Sequence, residues 1–147
     1  MSYYQILYQI VFSTKYREPV LEKSGRSELF NYFGSILKYK KCKVYCINGI
    51  EDHVHLLISL HPNIALANLI KDLKISSNKF IKEYKLFKEF SIWQEGYGAF
   101  TYHTNAKKNL NKYIKNQEIH HQTENSRAEI IRMLIEHQID FDEKIFE

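Results

Sequence analysis

The stretch Val44–Leu60, VYCINGIEDHVHLLISL, indicates two neighbouring β-strands joined by a tight connection. Its two halves, Val44–Ile50 and Asp52–Leu60, are rich in apolar and β-branched residues, which favour strands, and their close spacing predicts a hairpin. Successive side chains of a strand point to opposite faces of the sheet, so His53 and His55 share one face. The hairpin therefore presents two imidazoles side by side.

The pattern outside the hairpin predicts one β-α-β-β-α-β unit. The remaining predicted elements are strands at Tyr4–Ser13 and Ala99–His103, a helix at Ser24–Lys41, a second helix marked by Leu66, Leu69, Ile70, Leu73, Phe80 and Ile81, a third helix at Asn105–His121, and a last amphipathic helix with Ile130, Ile131, Leu134 and Ile135. This order is the ferredoxin-like, or split βαβ, arrangement. We therefore expect an α+β fold in which residues 1–147 form one domain. Its antiparallel sheet should carry two helices on one face, and additional helices should follow at the C-terminal end. RNA-recognition modules share this topology, so the fold alone leaves the function open.

Composition narrows the class of protein. The chain has 147 residues, 44% of them hydrophobic and 14% aromatic, which suits a packed core. The net charge of +4 weakly favours an anionic partner such as nucleic acid. Cys42 and Cys46 are too few for a disulfide framework. The N-terminal residues do not resemble a signal peptide, and no apolar run reaches membrane-spanning length, so we expect a cytoplasmic protein.

Two imidazoles on one face of a strand can coordinate one metal ion. The alternative is that His53 and His55 are simply two polar residues on a solvated face. The strand alone does not decide between these readings.

The predicted third helix supplies a second pattern. Ala106, Leu110, Tyr113, Ile114 and Gln117 lie along one stripe of it. Tyr113 and Gln117 are one turn apart and face the same way. Packing alone would also explain a tyrosine at such a position.

In combination, three motifs resemble a known family. His53-Val54-His55 matches the HUH motif, residues 113–117 (YIKNQ) match a Tyr-x-x-x-Gln helix, and residues 93–100 (WQEGYGAF) look like the stretch that precedes that helix. The chain resembles the single-tyrosine HUH transposases of the insertion sequence 200/605 family, which include relatives associated with repetitive palindromic elements. The resemblance covers nearly the whole chain, in order.

The resemblance implies an activity and its residues. A divalent metal, Mg²⁺ or Mn²⁺, would be held by His53, His55 and Gln117, and Tyr113 would be the nucleophile. The expected reaction is cleavage and rejoining of single-stranded DNA with hairpin ends through a 5′-phosphotyrosine. A homodimer is also implied, in which the third helix of one subunit completes the site of the other.

Weaker expectations concern the surroundings of the site. Asp52 could orient one imidazole, although its place next to His53 could instead turn it to the opposite face. Lysines near the tyrosine could contact DNA, as could one face of the second helix; the candidates are Lys108, Lys112 and Lys115, and Lys71, Lys74, Ser77, Asn78 and Lys82. The alternative is a solvated helix face. His120 and His121 are expected to be exposed to solvent.

Other families fit less well. Histidine-triad hydrolases need a third histidine where this chain has Leu57. Two-histidine phosphoesterases need two His-x-Thr/Ser motifs, and no such pair is present. Rolling-circle initiators and relaxases share the HUH chemistry, usually within larger chains. A non-catalytic module that binds single-stranded nucleic acid, or a domesticated transposase, remains as an alternative.

Overall fold

The computed structural model of the chain describes residues 1–142 and residue 144, so the last part of the predicted domain, residues 143 and 145–147, lies outside the described residues. The elements are β1 (Leu7–Ser13), α1 (Lys23–Tyr39), β2 (Lys43–Gly49), β3 (His53–Ser59), α2 (Leu66–Glu83), β4 (Gly98–Thr101), α3 (Lys107–Lys115), α4 (Gln117–His120) and α5 (Ser126–Glu136). The predicted β-α-β-β-α-β order is confirmed, and three helices follow it. No helix of this described part is both long and apolar enough to cross a membrane.

The sheet is antiparallel and has the strand order β2-β3-β1-β4. Strand β3 lies between two neighbours, and all seven of its residues are buried. Its register places His55 opposite Val11 of β1 and Asn48 of β2. The histidine pair therefore lies at the start of an inner strand, with both side chains buried.

The first face of the sheet holds the main core. Val54, Leu56 and Ile58 point to this face and pack with Leu29 and Leu73, from α1 and α2. The predicted covering of one face by two helices is confirmed. Burial of such apolar side chains stabilises the fold by about 25 cal/mol per Å² of area removed from water.

The second face is covered by α3 and α5, side by side. Ile114 of α3 packs on Leu57 of β3, and Met133 of α5 packs on Val11 and Phe100 of β1 and β4. These are two separate apolar clusters. The histidine face of β3 lies between them, and the side chains in that gap are polar and buried.

The predicted third helix is interrupted, which the sequence pattern did not show. It is split into a 3-10 turn at Thr104–Ala106, the helix α3, and the short helix α4. Between α3 and α4, Asn116 leaves helical geometry, at φ −96° and ψ 21°. The reason lies on a neighbouring strand: the Asn48 side chain donates hydrogen bonds to the carbonyl oxygens of Ile114 (2.9 Å) and Lys115 (3.1 Å). A side chain that caps the last carbonyls ends a helix.

Two strand boundaries also differ from the prediction. Strand β1 begins at Leu7 rather than Tyr4, because Tyr3 and Tyr4 are exposed and outside the ladder. Strand β4 ends at Thr101, after which His103 accepts a hydrogen bond from the Asn105 amide and caps the 3-10 turn.

Candidate metal centre and nucleophile

The four side chains predicted from the motifs meet in the gap between α3 and α5. His53 Nε2 lies 3.1 Å from His55 Nε2 and 3.2 Å from Gln117 Oε1. The Tyr113 ring is edge-on to the His55 imidazole, with centroids 6.1 Å apart. Helix α3 brings Tyr113 to this gap by packing Ile114 against Leu57 of β3.

Secondary structure explains why these side chains converge. The alternation of β3 turns both imidazoles inward, where they are almost wholly buried. The break at Asn116 lets Gln117 start a new turn, with its side chain fully buried. The solvated-face alternative for the histidine pair is therefore wrong.

Asp52 contacts the outer nitrogen of His53. Its Oδ1 lies 2.7 Å from His53 Nδ1 and also accepts a hydrogen bond from Ser126 Oγ at 2.8 Å. Asp52 does not turn to the opposite face, because β3 begins only at His53. A carboxylate can only accept, so His53 Nδ1 carries a proton, and Nε2 is the nitrogen that can lose its own proton to bind a metal.

Gln9, which sequence reasoning missed, contacts the outer nitrogen of His55. Its Nε2 lies 3.0 Å from His55 Nδ1, and its Oε1 accepts a hydrogen bond from the Tyr102 hydroxyl at 2.9 Å. A metal on His55 Nε2 requires the proton on Nδ1, which means that the Gln9 amide presents its oxygen instead. A hydroxyl both donates and accepts, so Tyr102 suits either orientation. The available signal was a glutamine inside an apolar strand, on the histidine face.

Glu129 is the most central residue that the sequence patterns did not identify. Its Oε1 lies 2.9 Å from His55 Nε2 and 3.1 Å from His53 Nε2. Its Oε2 accepts hydrogen bonds from Gln117 Nε2, at 3.2 Å, and from the Tyr113 hydroxyl. The side chain is only 2% exposed. The signal was present as polar residues at intervals of three along α5: Ser126, Glu129 and Arg132.

The prediction that His121 is exposed is wrong. Its Nε2 lies 3.0 Å from Gln117 Oε1 and 3.2 Å from Glu129 Oε1. After α4 the chain turns back towards α5, and this turn places His121 over the site. His120 is partly buried as well, and its Nε2 lies 2.7 Å from Glu124 Oε1.

Arg132 holds the hydroxyl of Tyr113 from the other side. Its Nη2 donates to that oxygen at 2.8 Å and also pairs with Glu124 at 3.1 Å. Burial and the neighbouring Glu129 carboxylate raise the pKa of Tyr113 above its usual range, and Arg132 opposes this increase. The phenol therefore carries its proton in this structure.

The charges of the cluster favour a cation. Burial lowers the pKa of His53, but the hydrogen bonds with Asp52 and Glu129 outweigh burial and raise it to about 9. Burial dominates at His55 and lowers its pKa to about 4. Burial raises the pKa of Glu129, yet the surrounding imidazoles, His121 among them, hold it far below its usual range. The donor atoms of His53, His55, His121 and Glu129 all lie within 4.8 Å of one another, so this group could hold a metal ion.

The predicted DNA-contacting lysines lie in two different settings. Lys108, Lys112 and Lys115 are exposed on α3, and their contact with DNA stays a prediction. Lys74 is half-buried, and its ammonium group donates to the carbonyl oxygens of Gln94 (2.8 Å) and Gly96 (2.6 Å). The structure thus gives Lys74 a contact that holds a loop.

The other candidates for DNA contact on the second helix differ in their burial. Ser77 is buried and accepts a hydrogen bond from the indole of Trp93 at 2.9 Å, so it does not line an open face of α2. Asn78 is partly buried, whereas Lys71 and Lys82 are exposed.

The loop that Lys74 holds forms one wall of a cleft beside the cluster. The cleft has a volume of about 510 Å³ and is lined by residues 94–98, by His53 and Glu129, and by Tyr16. None of Lys108, Lys112 and Lys115 is among the described residues that line it. Of the clustered side chains, His53 and Glu129 face this cleft.

Comparison with known proteins identifies the family to which this chain belongs. The model of the family described as "Transposase IS200 like" matches residues 2–117, which include the histidine pair, Tyr113 and Gln117. The chain belongs to the IS200-like transposase family. The predicted family is thereby confirmed, whereas His121 and Glu129 lie beyond the matched residues.

Individual members of the family are similar over most of their length. The ISDra2 transposase TnpA of Deinococcus radiodurans is 29% identical over 119 residues, 78% of this chain and 85% of that protein. The transposase for insertion sequence element IS200 of Salmonella typhimurium is 25% identical over 116 residues, 75% of each chain.

Two solved structures share the fold. A 1.90 Å crystal structure of a protein from Deinococcus radiodurans R1 has a TM-score of 0.61 at 22% identity, and the match covers 79% of this chain and 93% of that one. A REP-associated tyrosine transposase bound to a REP hairpin has a TM-score of 0.60 at 12% identity, with 82% and 74% covered. The predicted ferredoxin-like α+β fold agrees with both.

Proposed function

We propose that this IS200-like transposase cuts and rejoins single-stranded DNA through a covalent 5′-phosphotyrosine at Tyr113. One observation carries the proposal: the Tyr113 hydroxyl and a buried set of metal-ligating atoms meet in one cluster, and the Glu129 carboxylate touches both. A simple hydrolase would need the metal ligands but no tyrosine.

The residues fit a divalent metal, Mg²⁺ or Mn²⁺ in the first instance. His53, His55 and Gln117 would hold it, with Asp52 orienting the first imidazole. When bound, such an ion withdraws charge from a non-bridging phosphate oxygen and orients the phosphate for in-line displacement.

Tyr113 would act as the nucleophile. A phenol has an ordinary pKa of about 10, and that of Tyr113 is raised, so it needs a proton acceptor to attack at neutral pH. Glu129 Oε2 already accepts the hydrogen bond of the hydroxyl and is placed to take the proton. The phenolic oxygen then forms a bond to phosphorus, the bond from phosphorus to the 3′-oxygen breaks, and that oxygen leaves as a hydroxyl after gaining a proton.

The intermediate retains a phosphodiester, so rejoining needs no ATP. The 3′-hydroxyl of another strand attacks the phosphorus, and Tyr113 leaves and regains its proton. This reaction suits transposition better than degradation, because the phosphodiester is transferred to Tyr113 and is not hydrolysed by water.

The proposed substrate is single-stranded DNA that carries hairpin ends. Support comes from the family and from the similar fold of a transposase bound to a REP hairpin. A homodimer with exchanged tyrosine helices stays a prediction of the family resemblance. Mixing a Tyr113→Phe chain with a His55→Ala chain tests it. Exchange would restore the reaction, whereas a site built within one chain would leave the mixture inactive.

The experiment is a search for a covalent adduct. The protein is incubated with single-stranded DNA from the sequence that flanks its own gene, with MnCl₂ or MgCl₂, and the products are separated under denaturing conditions. We expect an adduct that requires metal and is lost in Tyr113→Phe while DNA binding is retained. DNA binding without an adduct under either metal would favour the alternative, a non-catalytic module or a domesticated transposase.

A further inference from the structure

The cluster contains more metal-ligating atoms than the motifs predict. Besides His53, His55 and Gln117, the side chains of His121 and Glu129 point into the same small volume. Both residues lie outside the part of the chain that the family model matches.

The protons of two imidazoles are fixed on their outer nitrogens. His53 Nδ1 donates to the Asp52 carboxylate, and His121 Nδ1 lies 2.6 Å from the Glu124 carbonyl oxygen, which can only accept. In the neutral form, both Nε2 atoms therefore carry a lone pair that points inward.

Two oxygens complete a ring of lone pairs. The Gln117 amide is oriented by its Nε2, which donates to Glu129 Oε2, so its Oε1 points inward with Glu129 Oε1. Around the ring, His53 Nε2 is 3.2 Å from Gln117 Oε1 and 3.1 Å from Glu129 Oε1, and His121 Nε2 is 3.0 and 3.2 Å from the same two atoms.

Such a ring needs positive charge at its centre. Four atoms that can only accept, at these separations and out of water, repel one another unless a proton or a cation lies between them. When several ligand atoms surround one ion at bond lengths of about 2.0–2.2 Å, adjacent ligand atoms lie about 3 Å from one another, which is the separation found in this ring. His55 Nε2 lies 2.9 Å from Glu129 Oε1 and is a fifth atom that could bind the metal.

We infer that Glu129 and His121 are ligands of the metal, which is thereby held by five side chains rather than by the three of the family motif. Three imidazoles favour a divalent first-row transition ion such as Mn²⁺ over Mg²⁺. The inference rests on the metal site of the proposed function but not on the chemistry of Tyr113.

The neighbouring acidic group is not a second site. His120, Glu124 and Arg132 are already paired with one another, at 2.7 Å and 3.1 Å, so the charge of Glu124 is balanced. In the five-donor group, by contrast, the Glu129 carboxylate faces three imidazole Nε2 atoms, each of which can give up a proton to bind a metal.

The test is calorimetric titration of the EDTA-treated, dialysed full chain with MnCl₂ and with MgCl₂, in the absence of DNA. We expect wild-type protein to bind Mn²⁺ at least ~10-fold more tightly than Mg²⁺. Glu129→Gln, which keeps the shape but removes the charge, and His121→Ala should each weaken Mn²⁺ binding by roughly 10- to 100-fold. Glu136→Gln is the matched control, because Glu136 lies on the same helix with its side chain exposed, and it should bind as the wild type does.

Unchanged Mn²⁺ affinity in both variants would overturn the inference and leave the three-residue site. If either variant fails to fold, the ligands are identified instead from a crystal structure of the wild-type protein grown with MnCl₂. An anomalous manganese peak within bonding distance of Glu129 and His121 supports the inference, and a peak bonded only to the motif residues overturns it. Because DNA is absent throughout, failure here is distinct from failure of the tyrosine chemistry.

Discussion

The Tyr113 hydroxyl donates a hydrogen bond to the buried carboxylate of Glu129, sixteen residues further along the chain. The proposed nucleophile is thus held by a helix, α5, that contains none of the three motifs of the sequence. The same helix reaches Asp52 through Ser126 and reaches the phenol again through Arg132. The position of α5 therefore controls both the metal ligands and the nucleophile.

Loss of Arg132 should slow adduct formation. Arg132 lowers the pKa of Tyr113, so Arg132→Met should raise that pKa further. Because this pKa already lies above its usual range, the phenol is protonated throughout pH 6–10, and its proton must pass to Glu129 as it attacks. A higher pKa makes that transfer less favourable, so the variant should react up to roughly 10-fold more slowly for each unit of the shift. Single-turnover rates between pH 6 and 10 measure this, and rates equal to those of the wild type would contradict the role of Arg132.

Loss of the carboxylate of Asp52 should weaken metal binding without unfolding the protein. Asp52→Asn removes the charged partner of His53 Nδ1, and such partners typically contribute about 10- to 100-fold in metal affinity. Titration with MnCl₂ measures the change. Ser126→Ala is the comparison: it removes a hydroxyl that donates to Asp52 and lies 3.2 Å from His53 Nδ1, but it leaves the carboxylate in place, so its effect should be smaller. Equal effects of the two substitutions would argue against Asp52 acting on His53.

The turn before the histidine pair should not tolerate a side chain. A Cβ on Gly49 would lie 2.3 Å from the carbonyl oxygen of His53 and 3.0 Å from the Cα of Val54, both backbone atoms. Gly49→Ala should therefore destabilise the protein by about 2 kcal/mol or more and loosen the hairpin.

Gly34→Ala is the matched control, since apart from its chain neighbours and the adjoining backbone of α1, no atom lies within 4 Å of its Cβ position. It should stabilise by about 0.5–1 kcal/mol through helix propensity. Denaturant unfolding of both variants measures the difference. Similar free energies of unfolding would contradict the close approach at Gly49.

Removal of the Lys74 ammonium group should loosen the wall of the cleft. Lys74 donates to the carbonyl oxygens of Gln94 and Gly96, so Lys74→Met frees the loop of residues 94–98. Amide hydrogen exchange in this loop should accelerate several-fold, whereas Lys71→Met, at an exposed position of the same helix, should leave it unchanged. Identical exchange in both variants would show that Lys74 does not hold the loop.

Much of the site could be predicted because it depends on the regular side-chain repeats of a strand and of a helix. Alternation along β3 puts His53 and His55 on one face, and a helical turn separates Tyr113 from Gln117. The break that buries Gln117 could not be predicted, because the Asn48 side chain that caps α3 comes from another strand. Glu129 and His121 depend on that break and on how α5 packs on β1 and β4, which no local pattern displays.

The central claim is that Tyr113 carries the DNA. The chain has 11 tyrosines, so the covalent product should be digested with protease and nuclease and the modified peptide sequenced by mass spectrometry. We expect one modified residue, Tyr113, joined to the 5′-phosphate of the cleaved strand, with a free 3′-hydroxyl on the other fragment. A nucleotide on any other residue, or a linkage through a 3′-phosphate, would contradict it.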